Sequence, residues 1–372
     1  MQTELSNMEM HELLRVLTER NGSDIHLKVG SPPTLRIDGE LLVVNAPPLT
    51  PQDTERLAVS IMNEHQKQQF TSRKEVDFAY SLAGVGRFRV NAFRQRGSVG
   101  VVLRKVRNEN FDMAELGLPS VIEKLADEPR GLILVTGTAG SGKTTTLSAI
   151  IDRINNTRRC HIMTIEDPIE VLHQDKKSIV NQREIGIDTD SYADALKYVV
   201  RQDPDVIMIG EMRDMETTKA ALTAAEMGNL ILSTLHTVDA TETINRIIDF
   251  FPPHQQKQVR LMLASSLKGI ISLRLLPKVG GGRIPAVEVM INTATIKEYI
   301  VNEGETSKIY EAIEQGEYYG MQSFDQGLLE LVGEGKVTME NAISMSSHAH
   351  DFKLKAKQSG FFMDEPPSRY IA

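Results

Sequence analysis

The chain has 372 residues, 41% hydrophobic and 25% charged, which is enough for two domains and typical of a folded globular protein rather than a disordered one. Its formal net charge of −8 lacks the basic footprint of a nucleic-acid-binding protein, so we expect no nucleic-acid partner. No apolar run approaches the roughly 20 residues that cross a bilayer, and the acidic N-terminus does not resemble a signal peptide, which predicts a cytoplasmic protein.

The first part of the chain has the pattern of a small α+β domain. Helical periodicity from about Met8 to Thr18 precedes a strand at "SDIHL" and a strand pair that turns at Asp38-Gly39. From "VDFAY" to "LRKV", apolar and polar residues alternate across glycine-bearing turns, which predicts antiparallel strands. We therefore predict a small α+β domain over residues 1–107 and a polar linker over residues 108–130.

The pattern changes after this linker. Short β-branched runs, namely "LILVTG", "HIMTIED", "DVIMIGE" and "LILSTLH", alternate with helical stretches, which indicates a mostly parallel sheet with helices on both faces. From about Thr241 onward helical periodicity dominates. We predict an α/β domain over residues 131–356 with a helical C-terminal part, and a loosely held tail over residues 357–372.

A phosphate-binding loop follows the first of these runs. Gly137, Gly142, Lys143 and Thr144 satisfy the spacing G-x-x-x-x-G-K-S/T between a strand and a helix, a context that disfavours a plain glycine turn. Backbone N–H groups of such a loop surround phosphates, the lysine reaches the outer phosphates, and the threonine hydroxyl binds Mg²⁺. The sequence thus predicts a site for ATP and Mg²⁺, formed by Gly137, Thr138, Ala139, Gly140, Ser141, Gly142, Lys143, Thr144 and Thr145.

Carboxylates follow two further strands. Glu211 comes directly after "DVIMIG", which predicts a Walker B carboxylate beside the phosphate loop and a ligand for Mg²⁺. Glu166, Asp167 and Glu170 surround Pro168. Crowded carboxylates repel one another unless a cation or a proton neutralises them, so this cluster suits Mg²⁺ or a water-activating base. An acidic loop that faces solvent explains the same residues equally well.

A histidine ends the fourth run. His236 in "STLHT" is placed to sense the γ-phosphate of a bound nucleotide or to cap the following helix, and the sequence alone leaves both interpretations open.

In chain order, the sequence contains the phosphate-binding loop, the acidic cluster, the Walker B carboxylate and the histidine. This set of motifs resembles the secretion-ATPase superfamily. Within it, "GSDIHL", "GRFRVNAF", "VNQRE" and "ALTAAEMGNL" are similar to the retraction ATPases of type IV pili, the PilT/PilU group. The resemblance implies a PAS-like domain before a RecA-like domain, a ring-shaped homo-hexamer, and ATP hydrolysis that powers pilus retraction and twitching motility. It also implies an inner-membrane pilus platform protein and a paralogous retraction ATPase as partners, and peripheral association with that membrane.

The same resemblance implies roles for individual residues. Arg89 and Arg104 of the N-terminal domain would reach the nucleotide, where guanidinium groups stabilise charge on the transferred phosphate. A basic strand face is the alternative for both. Glu211 would support Mg²⁺ and its waters, and a glutamate of the acidic cluster would polarise the attacking water. We favour Glu170 over Glu166 for this step.

One departure concerns the C-terminal part. Principal retraction ATPases carry an "AIRNLIR"-like motif, whereas this chain has Lys297 in place of its arginine and Glu298 in place of its asparagine. "GMQSFDQ" and "DFKLKAKQSG" look more like the PilU-type paralogue, which works beside the principal motor. The sequence therefore allows an autonomous or an accessory motor. Alternatives are an ATP-binding switch or scaffold and, less favoured, a RecA-like nucleic-acid motor.

Overall fold

The structure is a computed structural model that describes residues 9–37, 39–106 and 112–361. Its backbone contacts divide the chain into two compact units. Met1–Glu109 and Pro168–Leu172 form the first, and Asn110–Asp167 and His173–Ala372 form the second. The expected helix start at Met8, the Asp38 half of the predicted turn and most of the predicted tail lie outside the described residues.

The first unit is a six-stranded antiparallel sheet with helices, which confirms the predicted small α+β domain. The strands follow the order β3-β2-β1-β6-β5-β4. Apolar side chains at helical spacing on the first helix, Leu13, Leu14 and Leu17, are buried in its core. The elements are β1 (Asp24–Leu27), β2 (Thr34–Ile37), β3 (Glu40–Val43), β4 (Glu75–Leu82), β5 (Gly86–Gln95), β6 (Ser98–Lys105), α1 (Met10–Glu19), α2 (Pro51–Ser60) and α3 (Glu64–Arg73).

The second unit contains a seven-stranded sheet in the order β13-β12-β7-β11-β10-β8-β9. All neighbouring strands in it run parallel except β13, which is antiparallel to β12. The strands are β7 (Gly131–Thr136), β8 (His161–Glu166), β9 (Ile179–Glu184), β10 (Val206–Ile209), β11 (Leu230–Leu235), β12 (Leu267–Pro277) and β13 (Arg283–Ile291).

Helices cover both faces of this sheet because its strands bury both sides. Leu132 and Leu134 of β7 face one apolar cluster, and Ile133 and Val135 face the other. The helices are α4 (Val121–Ala126), α5 (Lys143–Thr157), α6 (Tyr192–Val199), α7 (Met215–Glu226), α8 (Ala240–Asp249), α9 (Pro253–Ser266), α10 (Ala294–Val301), α11 (Ile309–Glu314), α12 (Phe324–Gly333), α13 (Met339–Met345) and α14 (Ala349–Gln358).

Two segments differ from the sequence expectation. The described part of the predicted linker belongs to the second unit, because Ile122, Leu125 and other residues of α4 are buried in its core. The region after Thr241 is not purely helical, since β12 and β13 form a hairpin whose turn contains Gly280, Gly281 and Gly282, all with positive φ. The β-branched and aliphatic run "LKGIISLRLL" forms β12, which lies between β13 and β7 in the sheet.

The register of the parallel strands brings the predicted motifs to one edge. Ile209 of β10 pairs with Ser233 of β11 and with Ile165 of β8, and Thr136 of β7 pairs with Leu235 of β11. The strands therefore end at nearly the same level. The phosphate loop, the acidic cluster, Glu211 and His236 consequently all begin at the carboxyl edge of the sheet, where open α/β sheets bind ligands.

Candidate nucleotide site

The loop between β7 and α5 has a shape that requires glycine. Gly137 has φ +140°, and a Cβ atom there would lie 2.5 Å from Ser141 Oγ and 2.6 Å from the carbonyl oxygen of Leu273. Gly142, at the N-terminus of α5, has φ +103°. The backbone therefore passes very close to its neighbours at Gly137 and adopts left-handed geometry at Gly142, as a loop that surrounds phosphate must.

The polar groups of this loop fit a phosphate and a metal ion. Lys143 is buried, and its Nζ donates to the carbonyl oxygens of Gly137 at 2.8 Å and Thr138 at 2.9 Å. Ser141 Oγ is buried and has no hydrogen-bond partner among the described residues. Thr144, in the first turn of α5, is exposed, as a hydroxyl that binds Mg²⁺ needs to be. The assignment of all nine loop residues to nucleotide binding stays a prediction.

A chain of contacts joins the phosphate loop to the next two motifs. His236 Nδ1 lies 3.4 Å from Lys143 Nζ, and His236 Nε2 lies 3.5 Å from Glu211 Oε2. Arg213 pairs with the same carboxylate oxygen at 2.7 Å. Hydrogen bonding to Glu211 raises the pKa of Arg213 above its ordinary value. His236 therefore bridges the lysine of the phosphate loop and the Walker B carboxylate, and the residue that caps the following helix, α8, is Asp239 instead.

The acidic cluster separates into two environments. Glu166 is buried at the end of β8, and its Oε1 accepts hydrogen bonds from Thr164 Oγ1 at 2.7 Å and Gln182 Nε2 at 3.0 Å. Glu170 is exposed and has no side-chain partner among the described residues, and it lies in the segment grouped with the first unit. Glu166 is thus held in place, whereas Glu170 is a solvated carboxylate.

Two residues near these carboxylates were missed from the sequence. Gln182 of β9 links Glu166 to the backbone, because its Oε1 accepts from the N–H of His173 at 2.8 Å. Tyr192 of α6 is half-buried, and its hydroxyl lies against Gly210. "VNQRE" around Gln182 contributed to the family resemblance, but neither residue carries a local signal for the site, because strand and helix packing place both of them.

Mg²⁺ fits the oxygen donors at this edge. The Thr144 hydroxyl and the Glu211 carboxylate are hard ligands of the type that Mg²⁺ prefers, and Mg²⁺ usually takes few protein ligands together with phosphate oxygens and water. Within residues 9–37, 39–106 and 112–361, no group of three or more His, Cys, Asp or Glu side chains forms a metal site.

The predicted arginines lie together in the first unit. Arg89 of β5 and Arg104 of β6 are directly opposite each other, and Arg104 is opposite Asp24 of β1. Both arginine side chains are exposed. Their placement on one strand row agrees with an anion-binding surface, while contact with a nucleotide stays a prediction.

A parallel sheet with a phosphate loop before a helix, and with carboxylates after two neighbouring strands, defines a RecA-like P-loop ATPase. The sequence profile described as "Type II/IV secretion system protein" matches residues 4–281. The chain therefore belongs to this family of secretion ATPases, and the predicted fold class is confirmed. Across the described ranges, no helix is long and apolar enough to span a membrane.

Two similar proteins and one similar solved structure indicate which members of this family the chain resembles. The chain is 46% identical over 335 residues to the type IV pilus retraction ATPase PilT of Pseudomonas aeruginosa, covering 90% of this chain and 97% of that protein. It is 42% identical to the type IV pilus ATPase PilU of the same organism, covering 94% and 92%. A crystal structure of the pilus retraction motor PilT with bound ADP has a TM-score of 0.86 at 46% identity and covers 94% of this chain and 100% of that one.

Proposed function

We propose that the chain hydrolyses ATP to power the retraction of type IV pili, and that it acts as the engine of pilus disassembly in twitching motility. The observation behind this proposal is the chain of contacts from Lys143 through His236 to Glu211. It connects the phosphate loop to the carboxylate that we assign to Mg²⁺ and its waters. The similarity to PilT over nearly the whole length of both proteins supports pilus retraction as the work performed.

The phosphates of ATP bind in the loop of residues 137–145, where backbone N–H groups and the Ser141 hydroxyl face them. Lys143 exchanges the carbonyl oxygens of Gly137 and Thr138 for the outer phosphates, and His236 follows this movement because it contacts Lys143. Bound Mg²⁺, held by Thr144 and Glu211, would supply positive charge to the phosphate oxygens.

Besides the phosphate loop, hydrolysis needs a base that activates water and a cationic group that stabilises the transferred phosphate. Glu170 polarises the attacking water, and Glu166 is the second candidate, although its Oε1 already accepts two hydrogen bonds. Arg89 and Arg104 stabilise the charge that spreads over the transferred phosphoryl oxygens. Both arginines belong to the first unit, and arginines supplied by a separate domain can couple hydrolysis to domain movement.

We place this movement in a homo-hexameric ring that works in the cytoplasm. Sequential closure around the ring turns an inner-membrane platform protein, and pilin subunits return to the bilayer. The ring associates with the membrane only through that machine. We expect no role for nucleic acid, given the net charge of −8.

Whether the chain works alone depends on its C-terminal part. Lys297 and Glu298, which replace the residues of the usual motif, are exposed on α10, and neither belongs to the sheet edge that forms the nucleotide site. We infer that these changes affect contact with partners rather than hydrolysis. A paralogous retraction ATPase is then the natural partner of an accessory, PilU-type motor.

The deciding experiment counts surface pili in cells that lack every other retraction ATPase. The intact chain and its Lys143→Ala form are expressed to equal levels, which an immunoblot confirms. Fewer surface pili with the intact chain alone would establish an autonomous motor. If both forms gave equal piliation, and co-expression of a paralogue with the intact chain restored retraction, the chain would be an accessory motor. Equal piliation with the paralogue as well would contradict the proposed function.

A further inference from the structure

Tyr192 lies between the acidic cluster after β8 and the Walker B carboxylate after β10. It is the first residue of α6, whose N-terminus Ser191 caps by accepting a hydrogen bond from the N–H of Asp194 at 3.0 Å. The ring of Tyr192 packs against the apolar cluster on one face of the central sheet. The cap and the packing together fix where the ring points, so its hydroxyl is held at the carboxyl edge of the sheet.

The hydroxyl lies directly over Gly210. A Cβ atom at Gly210 would be 2.8 Å from Tyr192 Oη, 3.3 Å from the carbonyl oxygen of Ile165 and 3.5 Å from the Cα of Glu166. Gly210 does not have a positive φ, so its backbone conformation does not require glycine. The missing side chain instead makes room for the hydroxyl in the gap between the end of β8 and the end of β10.

This gap is acidic, and Tyr192 is a hydrogen-bond donor within it. Burial raises the pKa of Tyr192 above its ordinary value, and the nearby charges of Asp167, Glu211 and Glu166 raise that pKa further, while Arg213 opposes them. The phenol therefore keeps its proton. Among the described residues, the hydroxyl donates no hydrogen bond to any protein group. A half-buried donor beside carboxylates, without a protein acceptor, is suited to hold a water molecule.

We propose that Tyr192 is a positioning residue for ATP hydrolysis. Its hydroxyl donates to a water molecule that the carboxylates at the ends of β8 and β10 also bind, and this water keeps the Walker B carboxylate aligned with the reacting phosphate. A phenol is suited to the task because it donates a hydrogen bond without adding charge to the site. The inference rests on the proposed hydrolytic role of this edge.

The opposing explanation is that Tyr192 only fills the core with its ring. Tyr192→Phe separates the two, since it keeps the ring and removes one oxygen atom. Tyr198→Phe is the matched control, because Tyr198 is on the same helix but is 61% exposed. Circular dichroism and thermal unfolding of each purified full-length variant establish that both are folded.

Steady-state ATP hydrolysis is then measured as kcat and KM for the intact protein and both variants. Loss of one positioning hydrogen bond predicts a kcat roughly 3- to 10-fold lower in Tyr192→Phe, with KM within about twofold. Tyr198→Phe should match the intact protein. A Tyr192→Phe variant with the kcat of the control would overturn the proposal, and so would a rise in KM at unchanged kcat.

A second variant tests the same contact from the other side. Gly210→Ala introduces a methyl group into the space of the hydroxyl and should lower kcat as well. Its effect in the Tyr192→Phe background should be smaller than in the intact protein, because the displaced oxygen is already gone. Fully additive losses would show that the hydroxyl and Gly210 act independently and would contradict the proposal. An intact protein without ATPase activity would refute the proposed function itself.

Discussion

Arg104 Nε donates to Asp24 Oδ1 at 2.8 Å, and Arg36 lies 3.8 Å from the other oxygen of the same carboxylate. Arg36, Asp24, Arg104 and Arg89 occupy one row across four strands of the first unit. Two arginines directly opposite each other repel, so this row favours a bound anion. Burial alone would raise the pKa of Asp24, but hydrogen bonds from Arg104 and Ser23 outweigh it and lower that pKa.

A substitution of Asp24 therefore tests the proposed role of Arg104. Asp24→Asn keeps the shape of the side chain but removes the charge that orients the guanidinium. We expect kcat for ATP hydrolysis to fall several-fold, because the exposed guanidinium loses the charge-assisted hydrogen bond that orients it. Arg36→Gln, which removes the 3.8 Å contact to the same carboxylate and a hydrogen bond to the carbonyl of Gly39, serves as the control and should change kcat little. Wild-type kcat in Asp24→Asn would argue against an oriented Arg104 in catalysis.

Lys143 should be indispensable for turnover. It contributes positive charge to the outer phosphates in the proposed site, and its Nζ also contacts His236. Lys143→Ala should reduce hydrolysis to background and weaken binding of a fluorescent ATP analogue. Lys124→Ala, which changes an exposed lysine on α4, controls for the loss of a surface charge. Unchanged turnover in Lys143→Ala would refute the assignment of the phosphate loop.

Glu211 distinguishes a motor from an ATP-binding switch. Its carboxylate contacts His236 and Arg213 and is largely buried, so Glu211→Gln changes charge with little change in shape. We expect ATP binding to persist while phosphate release falls by at least about tenfold. Glu216→Gln is the control, because that glutamate is exposed and pairs with Lys197 on the surface. A protein whose slow basal turnover does not respond to Glu211→Gln would instead be a switch or scaffold.

The two glycines of the loop offer a matched pair of alanine substitutions. Gly137 and Gly140 both have positive φ, at +140° and +76°. Only at Gly137 would a Cβ atom collide with its surroundings, whereas nothing lies within 4 Å of it at Gly140. Gly137→Ala should therefore abolish nucleotide binding, and Gly140→Ala should cost about 1–2 kcal/mol of stability and retain binding. Calorimetric titration with ADP checks both, and equal affinity in the two variants would contradict the close-approach argument.

Local sequence predicted those parts of the site that follow directly from one strand. The spacing from Gly137 to Thr144 and the apolar run before Glu211 each specify a loop at a strand end, and the register of the sheet brings them together. Gln182 and Tyr192 could not be found in this way, because they reach Glu166 and Gly210 through pairing and packing between segments that are separate in the chain. The sequence also did not predict that α4 packs into the second unit. Its polar flanking residues are typical of a linker, and only tertiary contacts bury its apolar side chains.

Behind the phosphate loop, the buried carboxylate of Glu288 joins elements that the site depends on. Its Oε1 accepts from the N–H of Ala240, at the start of α8, at 2.9 Å and from Ser272 Oγ at 3.4 Å. Thr136, the residue before Gly137, donates to Ser272 Oγ at 3.1 Å. Glu288 Oε2 is buried and has no hydrogen-bond partner in the described part of the chain. A charge at this position is therefore poorly compensated.

This environment makes stability depend on pH. Burial raises the pKa of Glu288 to about 7, while the bond from Ala240 opposes the shift. In the unfolded chain the pKa is near 4.5, so the stabilising effect of the protonated form is fully present below that value and is lost as pH rises through about 7. Glu288→Gln cannot ionise and should lack this dependence.

Urea unfolding of the intact protein and of Glu288→Gln at pH 5 and pH 8, followed by circular dichroism, measures the predicted dependence. The difference in unfolding free energy between the two should shift by about 2–3 kcal/mol against the intact protein at the higher pH, because each pKa unit corresponds to about 1.4 kcal/mol. Any constant penalty from an unpaired amide cancels in this comparison between pH values. Glu298→Gln, at an exposed position on α10, should show no such shift. A difference that is the same at both pH values would mean that Glu288 ionises normally and that a partner compensates its charge.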